Sequence, residues 1–262
     1  MQPALKFRRP LPSAVGILGG MGPAAGADFA RLFVDSCTDV MRAMGVAVTD
    51  QAYPEHWLAQ VPIPDRSASL LLGSRGADAP LESMKQVAAR LGALGARTLA
   101  IACNTAHAWH ASLQRCMPDL EVIHGVQEVA IELARRGVRD VGLLATEGTY
   151  HAGVYQEALE HAGLVCHTPT ADERRLLMEG IYQGVKAGNL PFARERFAAV
   201  TLALAERHGT DAIIMGCTEI PLALKSGVGP TGPYLADPAR IMARVLAARA
   251  YGIEDVAAVW PG

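Results

Sequence analysis

The sequence predicts an α/β protein of two similar lobes, each built on a parallel sheet, with a ligand cleft between them. Three observations carry this reading. Short apolar runs alternate with stretches of helical periodicity, the pattern of parallel strands joined by right-handed crossover helices. The run Val15-Gly16-Ile17-Leu18-Gly19-Gly20-Met21-Gly22 returns as Val141-Gly142-Leu143-Leu144-Ala145-Thr146-Glu147-Gly148, identical at four of the eight positions. The run Thr98 to Thr105 returns as Ala212 to Glu219, and each copy leads through apolar residues into a cysteine followed by polar side chains. A glycine-ended strand, helices and a cysteine-ended strand thus occur twice. Duplicated halves imply an approximate twofold axis, with Cys103 and Cys217 facing each other across the cleft.

Val15 to Leu18 reads as the first strand, and Pro23 suits the first turn of the helix that follows. Phe29, Leu32, Phe33, Val40 and Met41 carry that helix to a stop at Gly45. A second strand lies between Val46 and Val61. Pro62-Ile63-Pro64-Asp65-Arg66-Ser67 then reads as a stiff polar loop, because alternate prolines forbid regular structure. Asp78 and Pro80 open a helix that Gly95 closes, and the Cys103 strand follows. Next come a helix near Thr105, a short strand at Glu121 to His124 and a helix from Val126 to Arg136. The second half has its strand at Val141, a helix from Thr149 to His161, a short strand, helices Asp172 to Ala187 and Pro191 to His208, and the Cys217 strand. A loop at Gly227 to Pro233, a short strand near Tyr234 and a helix from Pro238 to Tyr251 complete the chain. The expected division is an extension at 1–13, a first lobe at 14–125, a second at 126–237, and a C-terminal helix and tail at 238–262. The 238–250 helix is free to pack back on the first lobe.

Half of the 262 residues are hydrophobic, enough for a sizeable core. A net charge of −2 shows no basic excess that would point to nucleic acid or an anionic membrane. No run approaches the ~20 apolar residues of a membrane span. Five cysteines, an odd number scattered through the chain, do not form a disulfide framework. With no signal-peptide pattern, they fit a reducing cytoplasm.

A free cysteine on an apolar strand ordinarily behaves as a small hydrophobe, and Cys37, Cys116 and Cys166 are read that way. Cys103 and Cys217 differ: each ends a strand, precedes hydrogen-bonding residues and leads toward a helix N-terminus. Those surroundings are expected to lower a thiol pKa. Two facing thiols could form a disulfide switch, supply one nucleophile, or remove a proton from one face of a carbon and return it on the other. The last inverts a stereocentre. The turn Gly19 to Pro23 offers N–H groups to an anion. It fits the Gly-x-Gly-x-x-Ala dinucleotide pattern only loosely, because Asp39, at the expected acidic position, falls inside a helix. Arg66 in the stiff loop could fork a carboxylate, and Lys186 by default is solvated. Cys103-x-x-x-His107 with His110 lacks the second ligand cluster that a metal site needs, so no metal is expected.

These residues also carry a resemblance. Gly16 to Pro23, Ile63-Pro64-Asp65-Arg66, Cys103-Asn104-Thr105-Ala106-His107, Gly184-Val185-Lys186-Ala187-Gly188-Asn189 and Gly216-Cys217-Thr218-Glu219, in this order, resemble the aspartate/glutamate racemase family, and most of all its aspartate racemases. The match spans nearly all of 14–250. It implies two Rossmann-like lobes with the active site between them, no cofactor, and a homodimer that racemises an acidic amino acid. It further implies that Cys103 and Cys217 are the paired acid and base. Met21, Gly22, Asn104, Thr105, Thr218 and Glu219 would line the substrate site, with Arg66 and Lys186 as its basic groups. Both cysteines are kept, so action on both enantiomers is expected. Where aspartate racemases tend to carry asparagines, this chain has the bulkier Trp57-Leu58-Ala59-Gln60-Val61-Pro62, expected to reshape the side-chain pocket. Two rivals remain: another cysteine-dependent isomerase or decarboxylase of a small carboxylate, and a non-catalytic carboxylate-binding or redox-sensing protein.

Overall fold

The computed structural model describes residues 12–72, 78–224 and 232–261. Most of the expected extension at 1–13 and of the glycine- and proline-rich loop at 227–233 lies outside them. In the first half, β1 (Val15–Gly19), α1 (Pro23–Ala43), β2 (His56–Gln60), α2 (Arg66–Leu71), α3 (Ala79–Ala93), β3 (Thr98–Ile101), α4 (His110–Cys116) and β4 (Glu121–Val122) follow in order. Their strands form a parallel sheet ordered β2-β1-β3-β4. The second half holds α5 (Gly125–Arg135), β5 (Asp140–Leu144), α6 (Glu147–Ala152), α7 (Val154–His161), β6 (Val165–His167), α8 (Ala171–Glu179), α9 (Leu190–His208), β7 (Ala212–Met215), α10 (Ile220–Ala223), β8 (Tyr234–Ala236) and α11 (Pro238–Ala250). Its parallel sheet is ordered β6-β5-β7-β8, the same order once the halves are aligned. The duplication read from two short motifs therefore extends to the whole topology.

Every residue of β1, β3 and β7 is buried, as unbroken apolar runs require when helices cover both faces of a sheet. One face of the first sheet packs against α1 through Phe29, Leu32 and Phe33. The other meets α3 and α4 through Met84, Val87, Leu91 and Leu113. α11 leaves the second sheet and packs on α1, where Met242, Val245 and Leu246 join the cluster of Phe29 and Phe33. Tyr251 and Trp260 strap the segment after it down, donating to the Ala52 carbonyl at 2.9 Å and to Asp39 Oδ2 at 3.2 Å. The second sheet has its own two clusters, around Tyr155 and Leu159 and around Phe197 and Ile213. Among the described residues no helix is long and apolar enough to cross a membrane.

Four local expectations change. The helix expected over Thr149–His161 is two helices, broken where Gly153 adopts φ 67°. The helix expected over Asp172–Ala187 ends at Glu179 and widens into a π turn over Gly180–Gly184, then tightens over Val185–Ala187. The widening lets the backbone approach α9: a Cβ on Gly180 would stand 2.6 Å from the Phe197 ring, and one on Gly184 2.6 Å from Ala193. Arg66 and Ser67, expected in a loop, instead open α2, because the Asp65 carboxylate accepts the Ala68 N–H at 2.8 Å as a cap. Near Thr105 the chain first makes a 3₁₀ turn over Thr105–Trp109.

The glycine turn after β1 is fixed by close approach. Gly20 has φ 86°, and a Cβ on it would lie 2.1 Å from the Val61 carbonyl oxygen. Only glycine satisfies both conditions, so β1 must deliver Met21 and Gly22 to the sheet's C-terminal edge.

Candidate active site

Cys103 and Cys217 lie two residues beyond the last residues of β3 and β7, at the C-terminal edges of the two sheets. Open α/β sheets hold ligands at this edge. Both line one narrow cleft together with Met21, Arg66, Asn104, Thr105, Lys186, Thr218 and Glu219. Gly22 lines the adjoining hollow, which shares Met21, Arg66, Lys186 and Glu219. The segments singled out in the sequence thus meet at one place, each lobe contributing one cysteine and its polar neighbours.

The two thiols have unequal surroundings. Cys217 Sγ donates to Glu219 Oε2 at 2.9 Å, and Thr218 Oγ1 donates to the same oxygen at 3.3 Å. Burial, and then the Glu219 charge and hydrogen bond, push the Cys217 thiol well above the ordinary thiol range. This reverses the expected lowering. α10 has only four residues, so its end offers a fraction of a charge, while Glu219 presents a full carboxylate. The other Glu219 oxygen faces the first lobe, where a Cβ on Gly22 would stand 3.1 Å from Oε1.

Cys103 sits on a turn held from behind. His107 Nδ1 lies 3.0 Å from the Cys103 carbonyl and 3.2 Å from that of Asn104, and its Nε2 accepts the Gly125 N–H at 3.0 Å. These partners require the neutral tautomer with the proton on Nδ1. Burial, with His124 and His110 beside it, lowers the His107 pKa to about 3. Both of its ring nitrogens face backbone partners, so neither is free for a metal ion. Among the described residues no three His, Cys, Asp or Glu side chains converge as metal ligands.

Arg66 is largely occupied by its own loop. Nη1 donates to the carbonyls of Ile63 (3.0 Å) and Pro64 (3.1 Å), and Nη2 to that of Met21 (2.9 Å). Of five N–H groups, Nε–H and one on Nη2 remain, and Nε is buried without a partner. The loop holds the guanidinium rigid and leaves two donors for an anion. Lys186 Nζ rests 4.4 Å from the centre of the Tyr182 ring on the π turn.

Hydroxyls join the lobes beside the cysteines. Thr105 Oγ1 lies 2.8 Å from Thr149 Oγ1 and 3.2 Å from Thr146 Oγ1, and Ser67 Oγ donates to Thr146 Oγ1 at 3.2 Å. Thr105 and Glu219 occupy equivalent places in the repeat, and each reaches the other lobe's first turn. The stretch 57–62, expected to shape the side-chain pocket, does not line the cleft. Leu58, Ala59 and Val61 pack into the core, and Gln60 Nε2 donates to the Pro23 carbonyl at 2.8 Å.

Sequence reasoning missed Asp65, Ser67, Thr146, Ile181 and Tyr182, all of which line the cleft. Thr146 had a usable signal, since it occupies the place of Gly20 in the repeated strand and turn. Ile181 and Tyr182 lay hidden in what reads as an unbroken helix.

A family model described as Asp/Glu/Hydantoin racemase matches residues 18–246. The broad specificity amino-acid racemase RacX of Bacillus subtilis is 26% identical over 219 residues, which cover 80% of this chain and 87% of that one. The aspartate racemase of Picrophilus torridus superposes with a TM-score of 0.73 at 26% identity, covering 92% of this chain and 94% of that one. An aspartate racemase homologue from Pyrococcus horikoshii gives a TM-score of 0.70 at 27% identity, covering 91% and 99%.

Proposed function

The chain belongs to the Asp/Glu/Hydantoin racemase family, and from that premise we propose that it racemises aspartate or glutamate by proton transfer at Cα between Cys103 and Cys217. The observation that carries this reading is the pair of cysteines at equivalent ends of duplicated sheets, lining one cleft. Inversion requires proton removal from one face of Cα and delivery to the other, and two lobes of like topology, each with one cysteine in the cleft, supply a group for each face.

The substrate α-carboxylate binds N–H groups around Met21-Gly22, Asn104 and Thr218. The remaining donors of Arg66, with Lys186, meet the side-chain carboxylate. A Cys103 thiolate takes the α-proton, forming S–H as the Cα–H bond breaks. The Cys217 thiol gives its proton to the opposite face and is left as a thiolate, and the roles exchange in the other direction. Glu219 supports this division, because it holds Cys217 in the protonated form. The thiolate left beside its charge is a strong base for the return step. Fixed donors and exclusion of water stabilise the carbanion-like transition state. The reading also carries a cofactor-free homodimer, as the family resemblance implies, in the reducing cytoplasm that the scattered cysteines fit.

Incubation of L-aspartate and of L-glutamate in heavy water, without added cofactor, tests the proposal. α-Deuterated substrate and its D-enantiomer are the expected products. Absence of both for every acidic amino acid tried would overturn it, and a Cys103–Cys217 disulfide without exchange would favour a redox sensor. Glu219→Gln removes the charge that disfavours the Cys217 thiolate, so the Cys217 pKa falls. The proton-donating form is then lost at lower pH. In the direction where Cys217 is the acid, the alkaline limb of kcat is expected to move to lower pH, measured from initial rates across pH.

A further inference from the structure

We propose that Tyr155 is a positioning residue that decides which end of the Asn104 amide faces the substrate. The inference rests on the reading of Asn104 as a carboxylate-binding group.

Tyr155 stands on α7 in the second lobe and has no exposed surface. Its hydroxyl donates to Asn104 Oδ1, in the first lobe, at 2.7 Å. Among the described residues this is its one hydrogen-bond partner. Burial keeps the phenol protonated at any ordinary pH. A buried phenol must place its single proton on an acceptor or lose the full cost of desolvating it. Asn104 Oδ1 is the acceptor in reach, so the amide has only one favourable orientation. The oxygen turns to Tyr155, and the NH2 group turns away from it.

That NH2 group has no partner. Asn104 is 5% exposed and lines the cleft, and its Nδ2 is buried without a hydrogen bond. An amide able to flip would offer a carboxylate either two donors or a repelling oxygen. The Tyr155 bond removes the second choice. His107 fixes the backbone of the same residue through the Asn104 carbonyl at 3.2 Å. The side-chain orientation, in contrast, is set from the opposite lobe. The first lobe's binding group is therefore complete only when the second lobe is docked. Cys217 has no such arrangement beside it, since Thr218 donates to Glu219 of its own segment.

Tyr155→Phe keeps the ring and its packing and deletes only the proton donor. With L-aspartate and L-glutamate the expected result is a fall in kcat/KM of roughly ten- to hundredfold, carried mainly by a raised KM. Asn104→Ala should lose a similar factor, and the double variant should be no worse than Asn104→Ala within about twofold. A Tyr155→Phe enzyme with unchanged KM, or losses that multiply in the double variant, would overturn the proposal. Should Tyr155→Phe fold poorly, Asn104→Asp decides the point. It keeps acceptors for the phenol but has no N–H to offer and adds a negative charge, so it must be at least as impaired as Asn104→Ala, and near-normal activity would overturn the proposal. If the wild type itself exchanges no α-proton, the racemase reading has failed, an outcome distinct from all of these.

Discussion

Serine in place of Cys103 or Cys217 is expected to reduce racemisation by about three orders of magnitude, the equivalent of roughly 4 kcal/mol in the barrier. A hydroxyl is a far weaker acid than a thiol, and its conjugate base is not available to take an α-proton at neutral pH. The two losses differ in kind. With one cysteine left, proton exchange with heavy water is confined to the enantiomer whose Cα–H faces it, while inversion falls by that factor in both variants. Following α-deuteration separately for the L- and D-forms checks this. Equal residual exchange from both enantiomers would count against a two-base pair. Cys37 is the control. It is fully buried in α1, its thiol pushed up to about 12 by burial. Cys37→Ser is expected to leave the rate alone and cost about 1–2 kcal/mol in stability from the buried hydroxyl.

The second large effect is steric and lies between the lobes. A Cβ on Gly148 would stand 2.5 Å from Ser67 Cα and 2.6 Å from Ser67 Oγ. The near atoms include backbone, so α2 and α6 must separate to admit a methyl group. Gly148→Ala therefore stretches the Ser67–Thr146 and Thr105–Thr149 contacts that sit beside Cys103 and shifts one thiol relative to the other. Each sheet keeps its own core, so the variant is expected to fold, with a stability loss of about 1–3 kcal/mol from overpacking. Activity is expected to fall about a hundredfold, because an ångström of misplacement is enough for that. Thermal unfolding and steady-state rates together check it. A variant with full kcat would show that lobe spacing is not set at this contact.

The parts legible in the sequence were those with local causes. Buried parallel strands announce themselves as unbroken apolar runs, and the repeated Val-Gly motif located both sheets. The cysteines stood out because polar residues followed them directly. What stayed hidden depends on contacts between distant segments. Gly153 looks like any helical glycine until the chain turns there with positive φ. The π turn at Gly180–Gly184 goes with close packing of Gly180 on Phe197 and of Gly184 on Ala193, contacts that no local pattern encodes. Tyr155 reads as one more apolar residue of an amphipathic helix, and its hydroxyl acquires meaning only beside Asn104. The Cys217 surroundings are half visible: Glu219 is a neighbour in sequence, but the burial of the thiol and the direction of that carboxylate, which together raise its pKa, depend on the fold of the turn.

The return of α11 to the first lobe has a consequence for how the protein is made. Chains emerge from the ribosome from the N-terminus, and early domains generally fold as they appear. Here Phe29, Leu32 and Phe33 of α1 share one cluster with Met242, Val245 and Leu246. The first lobe therefore waits, with one apolar face uncovered, until α11 has been synthesised. The two halves, alike in topology, are unlike in timing. The second half takes Ile241 of α11 into the core beside its own, just completed sheet, whereas the first is finished only by a helix made after the whole of the second sheet.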